Sequence, residues 1–276
     1  MNSQVGSTKD RTAQTTFEIF VFGFWLTLLT DPSCSTFDII SENFPWSTKT
    51  IVILCFDGIG NKYCWSFDGD VPGKLTEISD SNFGHWTGGL TRYNKNLITV
   101  GGMGWSGTHQ ETELMERNQN GTFTWSVLKS DFIFTPSKKI SYHSLITIPT
   151  SYENEEYALL IGGIDGDWGQ SKSLESVFKY NGTWFPFGQL KNPRQFHNSI
   201  YWNRSVFVIG GTWRNEIMAQ SLEKRLDKTK IEVWDMNHSP DQFATNEKWP
   251  ELFGWRKPHL FIVPDAFFPD YPKPTV

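Results

Sequence analysis

The sequence predicts an all-β protein built from repeated four-stranded antiparallel sheets. Three apolar segments each run into a pair of glycines, short runs of alternating apolar and polar residues surround each pair, and 16% of the chain is aromatic. Alternation with a period of two marks half-buried strands rather than helices. Large rings, here 13 Trp and 22 Phe, with glycines at tight turns suit sheets better than a helix bundle. The 276 residues are 38% hydrophobic and 20% charged, a balance that can build a packed core. A net charge of −5 without a dense Lys/Arg run offers nothing to neutralise phosphates, which argues against a nucleic-acid partner.

Residues 1–35 read as a targeting segment. An apolar run from Ile19 to Leu29 follows a polar stretch carrying Lys9 and Arg11. Its length fits the hydrophobic stretch of a secretory signal peptide and is short for a membrane span, and Ser33 and Ser35 supply small residues for cleavage. The long polar lead and Glu18 depart from that pattern, so an uncleaved signal anchor is the alternative, and with it the one route to a membrane. Residues 36–50 read as a linker. Cleavage after Ser35 would remove Cys34 and leave Cys55 and Cys64, which flank the turn Asp57-Gly58-Ile59-Gly60-Asn61. In an oxidising compartment the two could join the arms of a hairpin as a disulfide; two small buried thiols are the alternative. Four N-x-S/T triplets, at Asn120, Asn181, Asn203 and Asn237, agree with export and fall where turns are expected.

The internal repeat lies further along. Leu97 to Gly102, Ala158 to Gly163 and Val206 to Gly211 are apolar strands closed by the pairs Gly101-Gly102, Gly162-Gly163 and Gly210-Gly211. Upstream of each is a strand with an early histidine: His85-Trp86, Tyr142-His143 and Phe196-His197. Downstream is a third strand (113–116, 176–180, 231–235), then a fourth around Trp125, Trp184 and Trp249. A glycine pair, an aromatic-acidic step and a Trp in that order resemble kelch repeats over roughly residues 83–265. The best match is residues 197–249, with Gly210-Gly211, Trp234-Asp235 and Trp249. Tyr180-Asn181 takes the aromatic-acidic place in the preceding repeat, and Arg117-Asn118 departs from it in the first.

The resemblance implies a kelch-type β-propeller over residues 51–265, with four to five blades of four antiparallel strands. It also implies structural roles for the glycines and for Trp125, Trp184, Trp234 and Trp249, with rings between neighbouring blades. Strands at 51–56 and 63–68 precede the first repeat, and Pro258 to Val263 resembles the first strand of another. Two arrangements fit: both termini share one blade and close a ring, or the ring is incomplete. Residues 214–230 form a long inter-blade insertion, and the Pro-rich tail 266–276 is extended.

For chemistry, His85, His143, His197 and His259 fall near the first strands, where four imidazoles around an axis could hold a transition metal; a repeated structural histidine is the simpler reading. Neither G-x-S-x-G nor H-E-x-x-H occurs. The expectation is a secreted, non-catalytic binding or structural module with no cofactor, whose rim loops hold an extracellular protein or glycan. The alternatives are a metal enzyme resembling galactose oxidase and an intracellular kelch adaptor.

Overall fold

The computed structural model describes residues 15–21, 24–30, 42–43, 50–56, 60–68, 75–129, 131–150, 156–167, 172–202, 204–212, 230–236 and 244–248. β1 (Thr15–Val21) and β2 (Phe24–Thr30) pair as an antiparallel hairpin over the N-terminal apolar run. Sheet I contains β3 (Glu42–Asn43), β4 (Thr50–Cys55), β5 (Cys64–Asp68) and β6 (Leu75–Ile78). Sheet II contains β7 (Gly89–Tyr93), β8 (Asn96–Gly104), β9 (Gly107–Arg117) and β10 (Phe123–Leu128). β11 (Ile140–Ser141) precedes β12 (Ser144–Pro149) and β13 (Glu156–Ile161); β14 (Ile164–Asp165) and β15 (Lys172–Ser173) precede β16 (Ser176–Tyr180) and β17 (Trp184–Gln189). Of these, β12, β13, β16 and β17 form sheet III, and β11, β14 and β15 form a small sheet beside it. Sheet IV contains β18 (Gln195–Trp202), β19 (Ser205–Thr212), β20 (Lys230–Asp235) and β21 (Ala244–Lys248). Within each of sheets I–IV the strands lie side by side in chain order, all antiparallel.

Sheet I differs from its expected form. The position beside β4 is held by Glu42–Asn43, which the sequence reading placed in a linker, and not by a C-terminal strand. The segment 258–263 and the tail lie outside the described residues, as does the insertion 214–229.

The second strands read as nearly unbroken apolar runs because both of their faces are buried. Alternate residues of β13 feed different cores: Ala158 and Leu160 one, Leu159 and Ile161 the other. One core lies between sheets I and II (Ile53, Phe56, Leu90, Leu97, Met115). A second lies between sheets II and III (Val100, Leu145, Leu160, Trp184), and a third between III and IV (Leu159, Val177, Val208, Trp234). The sheets therefore stack face to face in succession.

At one end of the stack the same link recurs. Thr87, Tyr142 and Phe196 occupy the same register at the entry to the first strands of sheets II, III and IV, all with left-handed backbone (φ 64°, 55° and 56°). The Tyr142 N–H donates to Thr87 O (2.8 Å) and the Phe196 N–H to Tyr142 O (3.2 Å). The first strands also meet through hydroxyls: Thr91 bonds Thr147 (2.8 Å) and Ser144 bonds Ser199 (2.7 Å). Sheets II, III and IV thus meet in turn through equivalent backbone atoms.

The glycine pairs serve this stacking. A Cβ on Gly101 would stand 2.4 Å from Ile140 O, and one on Gly162 would stand 2.7 Å from Arg194 O, each in the segment leading into the following sheet. With φ of 59° and 58° these residues take a conformation that side chains disfavour, so glycine is required twice over. In sheets II and IV the pair does not end the strand as expected, since β8 continues to Gly104 and β19 to Thr212. In sheet I the equivalent residue is Phe56, also left-handed (φ 64°), whose ring lies against His85 (centroids 5.0 Å). Beside it, Cys55 and Cys64 face each other across β4 and β5 and are joined as the expected disulfide.

Candidate functional site: the glycine-pair rim

A four-stranded meander has two ends. The turns between strands one and two and between three and four leave by one end. The turn between two and three, and the segment leading into strand one, leave by the other, which carries the glycine pairs. This second end is the glycine-pair rim.

Its loops are fixed by buried charges that the sequence reading missed. Glu113 on β9 accepts from the Asn82 N–H (2.8 Å), the Asn82 side-chain amide (2.6 Å), the Phe83 N–H (2.9 Å) and His85 Nε2 (2.8 Å). His85 Nδ1 donates to Gly101 O at 2.6 Å. Both ring nitrogens therefore face oxygen acceptors. Sheet IV repeats the device with another residue. Glu232 accepts from the Lys191 N–H (2.7 Å), the Asn192 N–H (3.0 Å) and the Asn192 side chain (3.0 Å), and it pairs with Arg194, whose Nη1 donates to Gly210 O (3.0 Å). All four of these ionisable side chains are buried. In sheet III the carboxylate position is Phe178, which meets Phe132 and Phe134 of the incoming loop edge-on (5.5 and 5.2 Å). A polar latch is replaced there by an aromatic one. The sequence signal was a Glu two residues before the inward Met115 or Trp234, a charge on a face otherwise apolar.

This register corrects the histidine reading. His85 aligns with Ile140 and Arg194, whereas His143 and His197 align with Gly88, three positions later. The three do not form one ring, and His259 lies outside the described residues. Among the described residues no group of three His, Cys, Asp or Glu is placed to hold a metal ion.

The aromatic-acidic step also moves. Tyr180 and Trp234 align with Met115, so Met115-Glu116 and not Arg117-Asn118 fills that place in sheet II; in sheet I it is Phe67-Asp68. Trp125 and Trp184 stand opposite Met115 and Tyr180 and donate their indole N–H to Ser79 O (3.0 Å) and Thr112 Oγ1 (3.0 Å). Trp234 is buried against Phe187 (4.9 Å). Trp249 lies outside the described residues, one position past β21.

Beside the Glu113 latch, His109 Nε2 donates to Gly84 O at 2.8 Å, its Nδ1 accepts the Glu111 N–H (3.2 Å), and its ring meets that of His85 edge-on at 5.1 Å. Burial, and then the adjacent His85 charge, push the His109 imidazole down to about 4. Since the unfolded chain takes up that proton near pH 6.5, stability is full above pH 6.5 and falls as the pH drops toward 4, by up to about 3 kcal/mol. Burial alone would raise the Glu113 carboxyl, but the bonds from His85 and Asn82 outweigh it and hold it below its ordinary 4.5. Its stabilisation is present above pH 4.5 and is lost as the pH falls through the lower folded value. Urea midpoints measured from pH 7 to 4 should fall, and His109→Gln should flatten the fall between pH 6.5 and 4 without removing the loss below it.

The most exposed large hydrophobic side chain among the described residues is Trp105, 83% exposed at the tip of the β8–β9 hairpin. The hairpin closes Gly104 onto Gly107 and projects beyond the glycine pair. One face of the indole rests on Gly60, where a Cβ would stand 2.4 Å from the ring. Gly84 lies against Gly60 in turn, where its own Cβ would meet backbone at 2.8 Å. The Gly60 backbone thus makes the floor on which the ring lies and Gly84 backs it, with Tyr63 (47% exposed) nearby in sequence on the same rim. The exposed Lys139–Asp167 pair adjoins the hairpin, since Asp167 also accepts the Thr108 N–H (3.1 Å).

The opposite rim carries Asn120 and Asn181, both exposed in turns between third and fourth strands. Asn203 and Asn237 lie outside the described residues.

No protein-family model matches this chain, and no curated protein matches it. Among solved structures it resembles that of YjhT, with a TM-score of 0.53 at 12% identity over 72% of this chain. The likeness covers 62% of YjhT, so the chain spans under two thirds of that protein. The shared feature is the fold, an all-β, β-propeller-like stack of small antiparallel sheets.

Proposed function

We propose that this chain is an exported, non-catalytic interaction module of the kelch-propeller type, sheets I–IV being its blades, and that it binds a protein through the glycine-pair rim. The observation that carries this reading is Trp105. A tryptophan with one face seated on glycine backbone and 83% of its surface open is a rigid apolar anchor, the residue type that dominates protein interfaces. Its hairpin is held by β8–β9 pairing up to Gly104 and Gly107 and by the bond from the Thr108 N–H to Asp167, so little ordering entropy would be lost on binding. Export is supported by the apolar run at Ile19–Leu29, the four sequons, and a disulfide suited to an oxidising compartment.

The test is binding by immobilised full-length chain, washed in high salt, to extracellular proteins of the source tissue. Trp105→Ala should lose saturable capture by at least tenfold while its thermal midpoint stays within about 1 °C, since an exposed side chain adds little to folding. Equal capture by both proteins, or capture of glycans alone, would contradict the proposal.

A further inference from the structure

The two described sequons occupy the same place in adjacent sheets. Asn120-Gly121-Thr122 turns β9 into β10, and Asn181-Gly182-Thr183 turns β16 into β17. The middle glycines share a left-handed conformation (φ 86° and 81°). A Cβ on Gly182 would meet nothing within 4 Å, and one on Gly121 only the end of Arg117 at 3.8 Å, so both turns stand in open space. All of Asn120, Thr122, Asn181 and Thr183 are exposed. In the first turn Thr122 holds the Asn120 amide oxygen with both its N–H (3.1 Å) and its hydroxyl (2.7 Å). With the oxygen so engaged, the nitrogen is the end of the amide that remains to react. A third-to-fourth turn leaves a meander at the end opposite a second-to-third turn, so both asparagines are on the rim away from Trp105.

We infer that Asn120 and Asn181 carry N-linked glycans, which coat one rim and leave the Trp105 rim bare for the partner. The inference rests on the export reading of the preceding section. The transfer joins the Asn Nδ2 to the anomeric carbon of a lipid-pyrophosphate-linked oligosaccharide and breaks that carbon's bond to the pyrophosphate oxygen. The amide gives up one proton and the lipid pyrophosphate leaves. Glycans of this bulk are tolerated only where no neighbouring surface must approach, which is why two equivalent turns on one rim are informative.

The experiment expresses the full chain in cultured animal cells and digests it with peptide N-glycosidase in ¹⁸O-water, which converts each occupied Asn to labelled Asp. Label is expected at Asn120 and Asn181. Asn120→Gln and Asn181→Gln should each remove one mass increment, Thr122→Ala and Thr183→Ala should do the same, and Thr122→Ser should keep it. A parallel arm puts a known cleavable leader ahead of the full chain. If the chain reaches the medium by either route with both asparagines unlabelled, the inference is overturned. If it is labelled only when the added leader is present, the glycan sites stand and the export reading fails. Capture through Trp105 should be unchanged by enzymatic removal of the glycans, and a tenfold loss on their removal would contradict the bare-rim assignment.

Discussion

Arg194→Ala should destabilise the protein by about 3–5 kcal/mol, read as a lower denaturant midpoint at an unchanged slope. Arg194 is fully buried, and its loss strands the Glu232 carboxylate and the Gly210 carbonyl without their cationic donor. The cost comes from leaving a buried charge unpaired, which is larger than the net worth of the pair itself. Arg194→His should recover part of the loss, because His85 meets the same two kinds of acceptor from the same register in sheet II. A loss under 1 kcal/mol for Arg194→Ala would mean that the latch is hydrated and not part of the core.

Gly162→Ala should cost about 2–5 kcal/mol, in two parts. The left-handed backbone costs an L side chain roughly 1–2 kcal/mol. The remainder is steric, since the new methyl would stand 2.7 Å from Arg194 O and 2.9 Å from the His197 ring and would push sheet IV away from sheet III. Gly182→Ala is the matched control. Its φ is also left-handed, at 81°, but open space surrounds it, so only the backbone part should be lost. The difference between the two variants measures the contact between sheets, and equal losses would show that the glycine pair serves its own turn alone.

Strands whose faces are both apolar were legible in the sequence, because Leu97–Val100, Ala158–Ile161 and Val206–Ile209 each run into a pair of glycines. The disulfide was legible too, since the two cysteines flank a turn. Other features depend on register, which composition does not display. The histidine of sheet II looked equivalent to those of III and IV because all three precede a first strand, yet pairing with the second strand places it three residues earlier, in the Arg194 position. β3 has two residues, too few for alternation to register, and was read as linker. Trp105 passed unnoticed because its importance lies in what is beneath it: Gly60, 45 residues away, belongs to a different sheet.

The account stands on successive sheets meeting through equivalent atoms, and native-state hydrogen exchange of two amides tests that most directly. The Tyr142 N–H precedes β12 and the Phe196 N–H lies at the start of β18 without a ladder partner in its own sheet, so an isolated sheet would leave both to solvent. Bonded to Thr87 O and Tyr142 O of the preceding segments, they should open only with global unfolding and show protection equal to the full stability of the domain. Exchange of either amide as fast as those of the exposed turn at residues 118–122 would contradict the stacked arrangement of sheets II, III and IV.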